Sequence, residues 1–173
     1  MKKYIIVAAD EKNGIGKNGL LPWKLKKDME FFQQMTLKTE DNKKKNAVIM
    51  GSNTWISIPE KHRPLKDRLN IVLSKNRDFK AEKAEVAFSL DDSLKIAEMR
   101  KDVENVFFIG GANIYKQVLE NIELTGIYLT RVRGDFKCDA FFPEIPKEYK
   151  FKNSLGKEND GRIEYEFLFY ERK

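Results

Sequence analysis

Apolar residues in this chain come mostly in short unbroken runs, separated by polar, helix-periodic stretches. YIIVAA (4–9), NAVIMG (46–51), LNIVLS (69–74), EVAFS (85–89), NVFFIGG (105–111) and GIYLTRV (126–132) read as strands. Residues 24–36, SLDDSLKIAEMRK and ANIYKQVLEN read as helices, with Ser89 placed to cap the second and Asp92 to complete its capping box. Runs that do not alternate imply strands covered on both faces. The expected architecture is therefore a three-layer α/β fold, a mostly parallel central sheet with flanking helices. The end of the chain differs: KFKNSLG, a polar KENDGR turn and IEYEFLFYERK read as a long hairpin whose last strand alternates, adding an antiparallel C-terminal strand. No repeat, low-complexity tract or linker interrupts the order, so residues 1–173 are expected to form one domain.

One position breaks the apolar pattern. In LLPWKLKKDMEFFQQM (20–35), Leu25, Asp28, Phe32 and Met35 recur at helical steps and share a face that is apolar except for Asp28. An ionised carboxylate without a partner there costs several kcal/mol. Asp28 needs either a binding partner or the help of the helix dipole.

Composition narrows the chemistry. A hydrophobic content of 41% suits a globular chain, the single cysteine, Cys138, forbids a disulfide framework, and the single histidine, His62, leaves no ordinary zinc set. No metal is expected. His62 lies in a polar loop and Cys138 reads as a packed thiol, so no histidine-based nucleophile system assembles. The N-terminal apolar run is too short for a signal peptide or a membrane span and reads as the first strand of a cytoplasmic protein. The net charge of +6 favours anionic partners in general. The cations are scattered among acids, however, and the NKKKN cluster at 42–46 reads as a solvated link rather than a nucleic-acid surface.

Ligands of open α/β sheets gather at the carboxyl ends of strands. Three such ends carry phosphate-compatible chemistry. Gly110 and Gly111 run straight into a helix, where backbone N–H groups and the dipole favour an anion. Gly51 is followed by Ser52, Asn53 and Thr54; Ser74 is followed by Lys75 and Arg77. Each has an ordinary alternative, as a tight turn, a helix cap or solvated charge. Together with Asp28 they suggest an enclosed site for a flat polar heterocycle and a phosphate-bearing cofactor that carries the chemistry.

These motifs resemble, in order and over nearly the whole chain, the dihydrofolate reductase family: IIVAADEKNGIGKNGLLPWKLKKDMEFF, VIMGSNTWISI, RPLKDRLNIVLS, FFIGGANIYKQVL, IYLTRV and CDAFFPEI. The resemblance implies reduction of dihydrofolate to tetrahydrofolate by hydride from NADPH, with NADH left open. It implies that Asp28 pairs with the 2-amino group and N3 of the pterin, supported by Thr130, with Leu21, Trp23 and Tyr115 also at the reacting centre. Ile6, Val7 and Ala8 are implied to line the pterin and nicotinamide pocket with backbone carbonyls, Met29 and Ile109 as further substrate-pocket residues, Phe32, Ile58 and Leu65 as contacts of the p-aminobenzoyl group, and Arg68 as the partner of the glutamate α-carboxylate. Residues 13–23 resemble a mobile loop that closes over the nicotinamide, bringing Ile15, Gly16, Asn18, Gly19 and Leu20 to the cofactor. Its remaining contacts would come from Ala8, Gly51, Ser52, Asn53, Thr54, Leu73, Ser74, Lys75, Arg77 and Ile109, and from Gly110, Gly111, Ala112, Asn113, Ile114 and Tyr115. The glycine pair matches one joined by a cis peptide in the family.

Three features depart from the family pattern. Ser52 and Asn113 stand where many relatives carry arginines for the adenosine 2′-phosphate, which leaves Lys75 and Arg77 to supply the charge. The link at 39–46 is long, and Ala140 replaces a threonine after Asp139. The resemblance implies dihydrofolate as partner, antifolates as inhibitors, no nucleic acid or membrane, and a monomer. A riboflavin-pathway pyrimidine reductase of the same fold and a non-catalytic folate- or nucleotide-binding protein remain as alternatives.

Overall fold

The computed structural model describes residues 1–173. Its chain order is β1 (Lys2–Asp10), β2 (Gly14–Gly16), α1 (Lys26–Leu37), β3 (Lys45–Gly51), α2 (Ser52–Ser57), β4 (Leu69–Leu73), β5 (Glu85–Ala87), α3 (Leu90–Glu98), β6 (Val103–Phe108), α4 (Ala112–Asn121), β7 (Gly126–Val132), β8 (Ala140–Phe141), β9 (Tyr149–Asn159) and β10 (Glu164–Arg172). Eight strands form one sheet in the order β5-β4-β3-β6-β1-β7-β10-β9. The pairs from β5 to β7 are all parallel, whereas β10 runs antiparallel to β7 and β9 antiparallel to β10. A minor sheet pairs β2 with β8, two strands the hydrophobic pattern does not signal. Three residues of β2, two of them glycine, carry no periodicity to read.

Alternation along the strands sorts side chains onto two faces, because successive residues of a strand point opposite ways. Ile5 and Val7, Ala47 and Ile49, Ile71 and Leu73, and Val106 and Phe108 join a large core with α3 and α4. Ile6, Val48, Met50, Val72 and Phe107 face the other way, onto Trp55 of α2 and the flanks of α1. A third cluster forms where Trp23 and Leu25 meet Val132, Tyr165 and Phe167. Each parallel strand is thus wanted by a core on both faces, which is why its sequence is apolar without alternation.

Local chemistry explains the boundaries. Ser89 has extended backbone and its hydroxyl accepts the Asp92 N–H at 3.1 Å, so α3 starts where the capping signal places it. The long link at 39–46 is tied down: the Glu104 carboxylate accepts the N–H groups of Glu40 (2.8 Å) and Asp41 (2.9 Å), and the buried Asn46 amide donates to the carbonyls of Thr36 and Lys38. Gly126, the first residue of β7, lies under the Phe169 ring. An added Cβ would come within 2.5 Å of that ring and 2.7 Å of the Tyr170 carbonyl. Gly126→Ala is therefore expected to cost about 1–3 kcal/mol, measured as a lower Tm in thermal unfolding.

Candidate active site

Asp28 sits in the first turn of α1 and is only 8% exposed. Burial pushes its carboxyl above the usual range, and the Thr130 hydroxyl opposes that shift. Desolvation disfavours the charged form, and a hydrogen bond to the carboxylate favours it. Thr130 reaches it because β7 pairs in register with β1, Thr130 opposite Ala8. In the segment leading into α1, Trp23 is buried and packs edge-on against Phe136, with ring centroids 5.1 Å apart. Its indole Nε1 has no hydrogen-bond partner in the protein. A buried donor without an acceptor costs about 1–3 kcal/mol, which fits a site built for a polar ligand or its bridging water.

The apolar residues expected along the substrate do assemble. Phe32, Ile58, Leu65 and Ile109 border the cluster that contains Ile6, on the same sheet face as α1. Ala8 borders the neighbouring cluster with Trp23 and Leu25. Met29, Leu20 and Leu21 stay more than half exposed, apolar surface that a ligand would cover. The Val7 side chain belongs to the opposite core, in keeping with a contribution through its backbone carbonyl rather than its side chain. Arg68 is half-buried with no carboxylate within ion-pairing distance. Its Nη1 donates to the Thr36 hydroxyl at 2.8 Å and its Nε to the Lys66 carbonyl at 3.0 Å, and burial lowers its pKa from the ordinary guanidinium value. Thr36, fully buried and accepting that bond, is a brace for Arg68 that the sequence pattern misses. No local signal marks it, since the contact spans 32 residues.

At the carboxyl ends of the strands the backbone is open. Gly51, Leu73 and Ala87 lie in one row across β3, β4 and β5, which brings the next residues, Ser52, Ser74 and Phe88, to neighbouring strand ends. The Gly51 N–H donates to the Gly110 carbonyl at 2.8 Å, and Gly110 and Gly111 are joined by a cis peptide, as in the family pattern. A Cβ at Gly110, where φ is +118°, would meet the Tyr115 hydroxyl at 3.2 Å; one at Gly111 would meet Thr54 Oγ1 at 3.4 Å. Gly111 leads into α4 with no side-chain cap and no acid in the first turn, leaving the N–H groups of Ala112, Asn113 and Ile114 to an anion. Such a cradle of small residues, uncapped helix start and strand-end hydroxyls fits a dinucleotide phosphate. The Ile114, Tyr115 and Leu73 side chains point into the large core instead. Tyr115 donates its hydroxyl to the Ile6 carbonyl at 3.0 Å, and burial raises its phenol so that it stays a neutral donor. Lys75 and Arg77 are exposed and free of carboxylate partners, and Arg77 lies 5.4 Å over the half-exposed Phe88 ring.

The 13–23 segment is stitched to the β7–β8 connection. Ile15 lies on β2 and packs on the large core, Asn18 and Gly19 turn the chain at positive φ, and the Asn18 N–H donates to the Asp139 carboxylate at 2.8 Å. Asp139 returns its own N–H to the Gly16 carbonyl at 2.9 Å. Ala140 pairs opposite Gly16, so the two segments stay joined without a hydroxyl at that position.

Comparison with known proteins gives a consistent picture. A family model described as dihydrofolate reductase matches residues 3–172. The chain is 41% identical over 181 residues to a dihydrofolate reductase of Heliothis virescens, covering 99% of this chain and 98% of that one. It is 42% identical to a dihydrofolate reductase of Sus scrofa, covering 96% of each, and 44% identical to a viral dihydrofolate reductase of Saimiriine herpesvirus 2, covering 96% of this chain and 83% of that one.

Proposed function

The chain belongs to the dihydrofolate reductase family, and from that premise we propose which of its residues carry the reaction. It is an oxidoreductase that reduces 7,8-dihydrofolate to 5,6,7,8-tetrahydrofolate with NADPH as cofactor, an activity that serves one-carbon metabolism. A riboflavin-type pyrimidine reductase and a binding-only protein are thereby set aside. When bound, NADPH supplies the hydride that goes to pterin C6, and a proton at N5 completes the reduction.

Two observations support the residue assignment: the Asp28 carboxylate is buried in the first turn of α1, and Trp23, in the segment that leads into that helix, has a buried Nε1 with no partner. Asp28 accepts hydrogen bonds from the 2-amino and N3 edge of the pterin, a charge-assisted pair that orients the ring and favours positive charge at N5. Thr130 holds the carboxylate. Phe32, Ile58 and Leu65 pack on the p-aminobenzoyl ring, and Arg68 binds the α-carboxylate through its fork. Residues 13–23 close over the nicotinamide and exclude water from the transfer. The test is cofactor oxidation on addition of dihydrofolate, with NADPH and NADH side by side: turnover is expected, and its absence in folded protein would overturn the assignment.

Lys75 and Arg77 take the 2′-phosphate in place of cations at 52 and 113. Supporting this, they follow Ser74, which the strand register sets next to Ser52, and neither is engaged by an acid. Replacing both with alanine is expected to shrink the NADPH:NADH ratio of kcat/KM by about tenfold or more, the worth of one or two hydrogen bonds to a charged group. An unchanged ratio would place the 2′-phosphate elsewhere. No helix is long and apolar enough to cross a membrane. We further propose a single-domain monomer acting in the cytoplasm, with antifolates as inhibitors at the pterin pocket and no nucleic-acid partner, since its cations are dispersed among 27 acids rather than gathered on one face.

A further inference from the structure

Asp10 ends β1 only 1% exposed, and the chemistry above gives it no task. Its carboxylate is shared between two segments far apart in sequence. Oδ1 accepts the N–H groups of Lys12 at 2.9 Å and Gly14 at 2.7 Å, while Oδ2 accepts the Phe136 N–H at 3.1 Å and lies 3.7 Å from Cys138 Sγ. No cationic side chain pairs with it; Arg131 turns its guanidinium to the Asp10 carbonyl and to Asn13 Oδ1 instead. A buried charge held by backbone N–H dipoles is tolerated only while all of them stay in place.

The junction has no slack. A Cβ at Gly14 would lie 2.5 Å from Cys138 Cβ and 2.9 Å from Asp10 Oδ2. Beyond it the chain leads to Leu20, Leu21 and Trp23. Phe136 is therefore gripped twice, at its N–H by Asp10 and at its ring by Trp23, 5.1 Å away.

We propose that Asp10 is a positioning residue for the reductase reaction: its carboxylate locks Gly14 and Phe136 together, and through them sets Trp23 and the 13–23 segment for hydride transfer. The proposal rests on the reading of 13–23 as the segment that closes over the nicotinamide. Asn at position 10 keeps the shape but turns one acceptor into a donor facing an N–H, so one half of the junction must let go.

Backbone hydrogen exchange of wild type and Asp10→Asn, with and without NADPH, tests this together with kcat and KM. In the wild type, NADPH is expected to raise protection across 13–23. In Asp10→Asn that gain should be lost and kcat should fall about tenfold or more, the scale of a sub-ångström misplacement, with KM for dihydrofolate nearly unchanged. Absence of the gain in wild type overturns the loop reading and this proposal with it. A wild-type gain that Asp10→Asn retains in full, with kcat unaltered and only Tm reduced, overturns the role of Asp10 alone. Should Asp10→Asn not fold, Phe136→Leu, which keeps the N–H and removes the ring from Trp23, is expected to show the same loss of protection and kcat; wild-type behaviour there overturns the proposal.

Discussion

Asp28→Asn is expected to lower dihydrofolate turnover at neutral pH by about 10²–10⁴-fold, the usual contribution of a positioned acid–base group. The fold should survive, because the amide fits the same space against Thr130. Residual activity should rise as the pH falls and more of the substrate carries its own proton, whereas a purely structural Asp28 would leave the pH profile parallel to wild type. Stability should move the other way. Burial raises the folded-state pKa of Asp28, so the neutral carboxyl is favoured in the fold; that stability is present in full below the unfolded pKa and is lost as pH rises through the folded one. Above the folded pKa the wild type carries the penalty of a buried charge, and there the ligand-free variant should melt about 2–4 °C higher, the shift that ~1 kcal/mol makes in a chain of this size. The gap should close in acid. Thermal melts across the pH range, paired with kcat, would separate the two effects, and wild-type turnover by the variant would remove Asp28 from the reaction.

Arg68→Gln is expected to raise KM for dihydrofolate by about 10–100-fold with kcat little changed, because a hydrogen-bonded charge pair is worth about 1.5–3 kcal/mol and acts equally on ground and transition states. The physical basis is a half-buried cation with donors spent on Thr36 and the Lys66 carbonyl but no anion of its own. A carboxylate from the ligand would repair the desolvation that lowers its pKa. The same variant should bind pterin fragments lacking the glutamate as well as wild type does. Weaker binding of those fragments, or an unchanged KM for the whole substrate, would show that Arg68 only braces α1 through Thr36.

Much of this fold is legible in the sequence. The strands β1, β3, β4, β6 and β7 were visible because a strand buried on both faces has an apolar run of its own length. The cap at Ser89 was visible because capping is local. Asp28 stood out because a charge in an apolar helical stripe is a local contradiction. The sequence could not show that Thr36 braces Arg68, or that the 39–46 link hangs on Glu104. It also could not show that β2 pairs with β8, since Gly14–Gly16 has too few side chains to carry a pattern.

Asp10 marks the boundary between the two kinds of information. Periodicity, capping and the placement of glycine act over a few residues, so the chain by itself determined the order of its main strands and helices, the layering of the fold and the oddity of Asp28. Which groups satisfy a buried charge depends on residues more than a hundred positions apart meeting with hydrogen-bond geometry, as Asp10 meets Phe136 and Tyr115 meets Ile6. Only the tertiary structure decided those partners, because a buried polar group is tolerated by whatever the packed fold brings within about 3 Å of it, and no local rule encodes that neighbour.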